Sequence, residues 1–219
     1  MKYKALLFGS IGTLIESSDI QRTSFNEAFK EAGLDWYWDE QDYRSLLKKS
    51  GGTKRVEDFA EKNNVNVNAS QIRNRKTEIF SSYIIKNKQK LRKSVYEIIN
   101  FCKKNNIKLS LSTSTTINNV NAVFESLSNQ IVKEDFDFIG NKSLVKYEKP
   151  NPEIYKVTLE HLNIEASDCI AIEDTEESSQ SAINAGIKCI GFPGDFHSDD
   201  NFEMCIKKMN VLDQSIFSL

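Results

Sequence analysis

Hydrophobic and polar positions form two kinds of pattern along residues 1–90, an apolar run near the N-terminus and helical spacing after it. Ala5 to Phe8 is a short, continuously apolar run, which is typical of a central strand in a parallel sheet buried on both faces. From Leu14 to Lys90 no stretch has the pattern of a strand, and apolar residues recur at helical spacing. Helices are predicted there from Ser17 or Ser18 to Gly33, and at about 39–49, 53–63 and 69–88.

From Ser94 onward the pattern changes to alternating helices and strands. Helices are predicted over 95–104, 116–127, 152–162 and 177–185, and strands over 107–111, 136–139, 169–172 and 188–192. Such alternation implies an α/β protein with a parallel sheet and helices on both faces. Ligands of these sheets bind beyond the carboxyl ends of the strands, so the segments after Phe8, Leu111 and Ile172 should converge on one site.

Composition excludes several classes of partner. The 219 residues include 29 basic and 31 acidic ones, a net charge of −2, so no nucleic-acid partner is expected. No run approaches the roughly 20 apolar residues of a membrane helix, and no membrane partner is expected. Lys2 and Lys4 before an apolar stretch resemble a secretory signal, but no small-x-small cleavage site follows, which disfavours that alternative.

The four cysteines point to a reducing compartment. Cys102, Cys169, Cys189 and Cys205 form no C-x-x-C pair and lie in apolar helix or strand patterns, so free buried thiols are favoured over disulfides or zinc. A cytoplasmic protein is the resulting expectation, and a monomer is expected separately.

Several residues at the predicted strand ends are candidates for binding a phosphate or a metal ion. Gly12 would let the backbone approach an anion, and Thr113 to Thr116 begin a helix whose N-terminus can bind one. Glu173 and Asp174 offer the oxygen ligands that Mg²⁺ prefers. Plain structural alternatives also exist: a glycine turn, hydroxyl caps and solvated acids.

Three segments resemble the signature motifs of the haloacid dehalogenase (HAD) superfamily, in the same order and with similar spacing. They are the strand and loop from Tyr3 to Leu14, the Lys-Pro-x-Pro-Glu-Ile-Tyr segment from Lys149 to Tyr155, and Glu173-Asp174-Thr175 followed by the Ala182 to Gly186 segment. Within the superfamily the chain is most similar to the CbbY group, phosphatases of xylulose-1,5-bisphosphate. The resemblance implies a HAD-like Rossmannoid core of residues 1–14 and 89–219 with a helical cap domain of residues 15–88.

The resemblance also implies roles for particular residues. Those matching phosphate-binding positions are Gly12, Thr13, Thr113, Ser114 and Lys149, and those matching carboxylates that hold or orient Mg²⁺ are Glu173 and Asp174. Those matching the substrate-recognition positions of the cap are Arg22, Gly51, Gly52 and Arg55. The two arginines could grip a second phosphate, although ordinary surface charges are an equal alternative.

The chain departs from the family where the chemistry is concentrated. Gly9 and Ile11 stand in place of the nucleophilic aspartate and the acid/base aspartate, so no catalytic residue is intact and Mg²⁺ is expected to bind weakly or not at all. The leading hypothesis is a pseudoenzyme that binds a phosphorylated sugar or inorganic phosphate, or that regulates a partner. The alternatives are an active Mg²⁺-dependent sugar phosphatase that uses a displaced carboxylate, and a protein-interaction module without a ligand.

Overall fold

Six parallel strands form a single sheet in the computed structural model, which describes residues 2–48 and 51–219. The strand order is β3-β2-β1-β4-β5-β6. The strands are β1 (Ala5–Phe8), β2 (Lys108–Leu111), β3 (Phe138–Ile139), β4 (Cys169–Glu173), β5 (Lys188–Gly191) and β6 (Lys207–Lys208). The central strand β1 therefore lies between β2 and β4, which brings their following loops together.

Eight α-helices accompany the sheet within the described part of the chain. They are α1 (Ser18–Glu31), α2 (Glu40–Leu46), α3 (Gly52–Lys62), α4 (Ala69–Lys86), α5 (Val95–Lys104), α6 (Ile117–Ser126), α7 (Glu153–Leu162) and α8 (Glu176–Asn184). Every predicted helix and strand is present, with ends that differ by at most three residues. The predicted end of the second helix, at 49, lies outside the described residues, and β6 was not predicted.

Successive residues of β1 supply the two faces of the sheet. Leu6 and Phe8 belong to the cluster that packs with α5 and α6, whereas Ala5 and Leu7 belong to the cluster that packs with α7 and α8. All four side chains are completely buried. The continuously apolar sequence of β1 is thus explained by burial on both faces, as in other parallel sheets.

The helices α1 to α4, here called the helical layer, have a hydrophobic cluster of their own. Phe25, Phe29 and Trp38 lie at its centre, with ring centroids 4.6–5.9 Å apart. Phe196, which follows β5, joins this cluster from the sheet side. The division into a core of residues 1–14 and 89–219 and a cap of residues 15–88 stays a prediction. None of the described helices is long and apolar enough to cross a membrane.

Candidate functional site

The loops at the carboxyl ends of the three central strands meet as predicted. The N–H of Gly9 donates to the Ile172 carbonyl over 2.9 Å, and the N–H of Ser112 donates to the Phe8 carbonyl over 2.6 Å. These bonds extend the pairing of β1 with β4 and β2 by one residue, so the segments after the strands stay in register. The residues that follow each strand consequently lie side by side at one edge of the sheet.

The Glu173 carboxyl is the centre of the polar contacts at this edge. Its Oε1 atom accepts a hydrogen bond from the Tyr155 hydroxyl over 2.7 Å and forms an ion pair with the Lys149 ammonium. Lys149 also donates to the Gly9 carbonyl over 2.5 Å. All three side chains are buried, with Glu173 entirely so. Lys149 was predicted to bind phosphate and Glu173 to hold or orient Mg²⁺, and the two side chains instead form an ion pair with each other.

The Glu173 carboxyl occupies the volume into which a side chain on Gly9 would project. A Cβ atom added to Gly9 would lie closer than 3.0 Å to Glu173 Cδ and Oε1, and to the Tyr155 hydroxyl. Such a contact requires one of the groups to shift. The glycine is thus a structural requirement of the present arrangement, because any side chain here would displace the buried carboxyl.

Burial raises the pKa of Glu173, and the nearby Lys149 charge opposes that shift. Oε2 of the same carboxyl is buried and has no hydrogen-bond partner among the described residues. Because Oε1 already accepts two donors, Oε2 is the atom on which an added proton would sit. Burial, and secondly the Glu173 charge, also raise the pKa of Tyr155, which remains a hydrogen-bond donor.

Asp174 is held against the loop after β1. Its Oδ1 accepts from the Ser10 hydroxyl over 2.8 Å, and a Cβ atom added to Gly12 would overlap its Oδ2. Gly12 therefore permits the close approach of this carboxylate to the loop backbone. Asp174 is half-buried and faces the cleft between the sheet edge and the helical layer.

These carboxylates are a poor match for Mg²⁺, the metal ion that the family resemblance implies. Glu173 directs Oε1 at Lys149 and Tyr155, and Asp174 directs Oδ1 at Ser10, so both are engaged with protein donors. Across residues 2–48 and 51–219, no three His, Cys, Asp or Glu side chains are grouped so that they could hold a metal ion. The present donor set does not fit Mg²⁺.

The remaining predicted phosphate-binding residues lie at the same edge but make internal hydrogen bonds. The Thr13 hydroxyl is completely buried and donates to the Ser10 carbonyl over 2.6 Å. Thr113 is buried and its hydroxyl accepts from the Thr115 N–H over 3.2 Å, while Ser114 is half-buried beside it. Their role in binding phosphate stays a prediction.

Arg92, which no sequence motif singles out, connects the loop after β1 to the segment after β5. Its guanidinium donates to the carbonyls of Gly12 and Phe192 over 2.9 Å each, and also to the Pro193 carbonyl. The same group lies 3.6 Å from the centre of the Phe192 ring. Burial lowers the pKa of Arg92, which carries its charge among carbonyl dipoles.

A cavity of about 250 Å³ separates the helical layer from the sheet edge. Three basic side chains line it, Arg55 from α3 and Arg73 and Lys76 from α4, against one carboxylate, that of Asp174. Neutral hydrogen-bonding side chains complete much of the wall; they are Ser17, Ser18, Gln21, Tyr43, Thr77, Thr115, Asn119 and Thr175. His197, which also lines the cavity, hydrogen-bonds Asp200. The positive side chains outnumber the negative, which favours an anionic ligand.

The predicted cap residues divide between the cavity and the interior of the helical layer. Gly52 and Arg55 line the cavity, and Arg55 donates to the Leu46 carbonyl over 3.0 Å. Gly51 precedes α3 with φ +93°, a conformation that favours glycine. Arg22 is buried and bonded to Asp19 and to the Trp38 carbonyl, at 2.9 and 3.0 Å. Arg22 thus stabilises the layer and is not among the residues lining the cavity.

The structure adds Tyr155, Arg73, Lys76 and Arg92 to the site. Tyr155 lay within a matched motif, but nothing in the sequence distinguished it from a core aromatic. Lys76 and Arg73 lie three residues apart on α4, a helical spacing that places both on one face and was available in the sequence. Arg92 has no sequence signal, because its partners are backbone carbonyls from distant segments.

Comparisons with known proteins agree with this architecture. A family model described as haloacid dehalogenase-like hydrolase matches residues 11–192. The chain therefore belongs to the haloacid dehalogenase-like hydrolases, and the predicted resemblance is confirmed. Within them it is similar to Protein CbbY of Cereibacter sphaeroides, with 32% identity over 91% of this chain and 88% of that protein.

Two solved structures extend the likeness to three dimensions. CbbY from Rhodobacter sphaeroides in complex with phosphate superposes with a TM-score of 0.87 and 29% identity, over 97% of this chain and 96% of that one. A mutant of that protein in complex with xylulose-1,5-bisphosphate gives a TM-score of 0.85 and 30% identity, over 95% and 94%. The chain is thus a CbbY-like member of the family, with the predicted α/β fold.

Proposed function

We propose that this protein binds a phosphorylated sugar, or inorganic phosphate, in the cavity between the helical layer and the sheet edge, and does not hydrolyse it. The observation that carries this proposal is the cavity wall, where two arginines and a lysine face one carboxylate beside a loop that lacks the aspartate nucleophile of the family. Arginine side chains suit phosphate because their planar forks can donate two hydrogen bonds at once.

Positions 9 and 11 lack the side chains that hydrolysis of a phosphate ester requires. Gly9 has no side chain to attack phosphorus, and Ile11 is 7% exposed and packed in the hydrophobic core. By the family resemblance these positions hold the nucleophile and the acid/base. Removing a nucleophile costs on the order of a millionfold in turnover, from a typical value of about 10 per second.

The ligands of relatives support the choice of ligand class. The structures of CbbY from Rhodobacter sphaeroides contain phosphate in one case and xylulose-1,5-bisphosphate in the other. Those ligands belong to those proteins. Since this chain is similar to them along nearly its whole length, a small phosphorylated sugar is the class we propose here.

A second candidate is an active phosphatase in which Glu173 replaces the missing nucleophile. One observation favours it: the Glu173 carboxyl lies in the volume next to Gly9. The contacts of Glu173 argue against it, because Oε1 is engaged by Lys149 and Tyr155 and the side chain is completely buried. In-line attack on phosphorus requires an accessible oxygen within about 3 Å.

Turnover measurements separate the two candidates. Wild-type protein and Glu173→Gln should be incubated with a panel of sugar phosphates, with Mg²⁺ and with a chelator. We expect turnover below roughly 10⁻⁴ per second for both proteins and no phosphoenzyme after acid quenching. Chelator-sensitive turnover near one per second in the wild type, lost in Glu173→Gln, would establish the second candidate instead.

Binding is tested by thermal unfolding with inorganic phosphate as the probe, since a ligand of the folded state raises the melting temperature. Arg73→Gln should reduce the phosphate-induced rise by at least half, because Arg73 lines the cavity. Arg75→Gln is the matched control: Arg75 lies on the same helix but pairs with Glu31 and Glu78 at an exposed site. Equal rises in all three proteins would place the phosphate elsewhere.

A further inference from the structure

Lys76 is a buried lysine in the wall of the cavity. Its side chain donates to the Gln21 side-chain carbonyl, and its Nζ lies 5.1 and 5.0 Å from the ring centres of Phe25 and Phe80. The residue is 7% exposed. No carboxylate in residues 2–48 or 51–219 forms an ion pair with it. A buried ammonium without a counter-ion is unfavourable, so the neutral amine is favoured.

The two arginines of the cavity also disfavour the charged form of Lys76. Arg73 stands one turn before Lys76 on α4 and Arg55 faces it from α3, while Asp174, His197 and Tyr43 line the other walls. Burial first, and then the charges of Arg73 and Arg55, lower the pKa of Lys76 to about 7. Near neutral pH a large share of the side chain is therefore unprotonated and carries a free electron pair.

We propose that Lys76 captures the carbonyl group of a small phosphorylated aldehyde or ketone as an imine. The proposal rests on the proposed function, since the carbonyl compound enters the same cavity. The Lys76 nitrogen forms a bond to the carbonyl carbon, and the carbonyl oxygen leaves as water with the two amine hydrogens. Amine and carbonyl thus become imine and water, with no oxidant or reductant.

The geometry provides a place for each end of such a ligand. Arg55 and Arg73 line the cavity with Lys76 and can hold the phosphate, while the amine lies 5.1 and 5.0 Å from the ring centres of Phe25 and Phe80. The cavity volume of about 250 Å³ suits a small, open-chain molecule. The cleft would therefore select phosphorylated sugars by two features, the anionic group and the carbonyl.

The test traps the imine by reduction. The full chain is incubated with dihydroxyacetone phosphate for set times, quenched with sodium borohydride, digested and mapped by mass spectrometry. We expect the adduct on Lys76, and an initial rate about tenfold higher at pH 8 than at pH 6, because protonation below the pKa removes the nucleophile. Lys62 and Lys86 are both exposed and serve as internal references in the same digest.

Glycerol 3-phosphate is the matched ligand, since it lacks the carbonyl. It should leave no adduct, slow the labelling of Lys76 and raise the melting temperature. Lys76→Arg retains a basic side chain but removes the primary amine, so it should lose the adduct and keep the rise with glycerol 3-phosphate.

Labelling of Lys76 no faster than that of Lys62 and Lys86, or an equal rate at both pH values, would overturn the imine. This comparison within wild-type protein holds even if the variant fails to fold. Stabilisation by glycerol 3-phosphate without an adduct would refute only this inference. If glycerol 3-phosphate neither raised the melting temperature nor slowed the labelling of Lys76, the proposed function itself would be refuted.

Discussion

Position 9 shows how a missing side chain changes the role of its neighbours. Glu173 and Lys149 match ligand-binding positions of the family, and the sequence could predict both residues and the sheet edge on which they lie. It could not predict that the two would pair with each other, because that contact depends on the volume left beside Gly9. The sequence thus predicts which residues lie at the site more readily than it predicts which contacts their side chains make.

The competition for this volume can be measured as a coupling free energy. Gly9→Asp should lower the free energy of unfolding by about 1–3 kcal/mol, because the new side chain overlaps Glu173 and Tyr155. In a Glu173→Ala background the same substitution should cost less than half as much, since the overlapping carboxyl is gone. Urea denaturation of the four proteins gives both values.

Gly33→Asp provides the control for this cycle. No heavy atom lies within 4 Å of a Cβ atom at Gly33, which is remote from Glu173 in the contacts observed. Its effect should be the same in both backgrounds. An equal cost of Gly9→Asp with and without the Glu173 side chain would contradict the view that the two compete for one volume.

At the scale of elements, the segment between α1 and α2 depends on one asparagine. The Asn26 amide nitrogen donates to the Trp38 carbonyl over 2.9 Å, and its oxygen accepts from the Trp38 N–H over 2.8 Å. Trp38 itself is completely buried in the cluster of the helical layer. The two hydrogen bonds therefore hold the backbone of the segment between α1 and α2, while the apolar Trp38 ring holds its side-chain face in the cluster.

Asn26→Ala should lower the free energy of unfolding by about 1–2 kcal/mol, because the Trp38 N–H loses its partner and the Trp38 carbonyl keeps only the hydrogen bond from Arg22. Chemical denaturation followed by far-ultraviolet circular dichroism provides the value. Asn74→Ala on α4, at an exposed position, is the matched control and should change stability by less than about 0.5 kcal/mol. A similar loss in both variants would mean that helix propensity, and not the Trp38 contact, is responsible.

The elements that the sequence predicted are those with strong local signals. The helices α4, α6 and α8 begin after side-chain caps, Asn68, Thr116 and Thr175, whose oxygens accept from the first turn. The strand β6 was missed because it consists of two exposed lysines, Lys207 and Lys208, at the edge of the sheet. Such a strand forms through pairing with β5 and has no apolar pattern.

At the scale of the whole molecule, the segment after β5 joins the sheet to the helical layer. Phe196 packs into the layer's hydrophobic cluster, with its ring centre 6.1 Å from that of Tyr43. Arg44 covers the same ring at 4.6 Å and donates to the Asp195 carbonyl over 2.9 Å. These contacts join the helical layer to the sheet, and neither Phe196 nor Arg44 is among the residues lining the cavity.

Phe196→Ala should lower the free energy of unfolding by about 2–4 kcal/mol and make the helical layer unfold before the sheet. The reason is that the substitution removes the Phe196 ring, which extends from the segment after β5 into the hydrophobic cluster of the layer. Circular dichroism, which follows the helices and strands of the whole molecule, should then show two transitions.

Met204→Ala, at a position 61% exposed in the same stretch of chain, should keep a single transition. A single transition in Phe196→Ala as well would show that other contacts suffice to couple the layer to the sheet.

The two tryptophans of the chain, Trp36 and Trp38, both belong to the helical layer. Trp38 packs against Phe25 at 5.0 Å between ring centres, and Phe25 lines the cavity. The tryptophan fluorescence of the protein therefore originates entirely in the layer, one aromatic ring away from the cavity. Emission excited selectively at tryptophan can consequently follow occupancy of the cleft in the unlabelled, unmodified chain, without a contribution from the tyrosines that pack on the sheet.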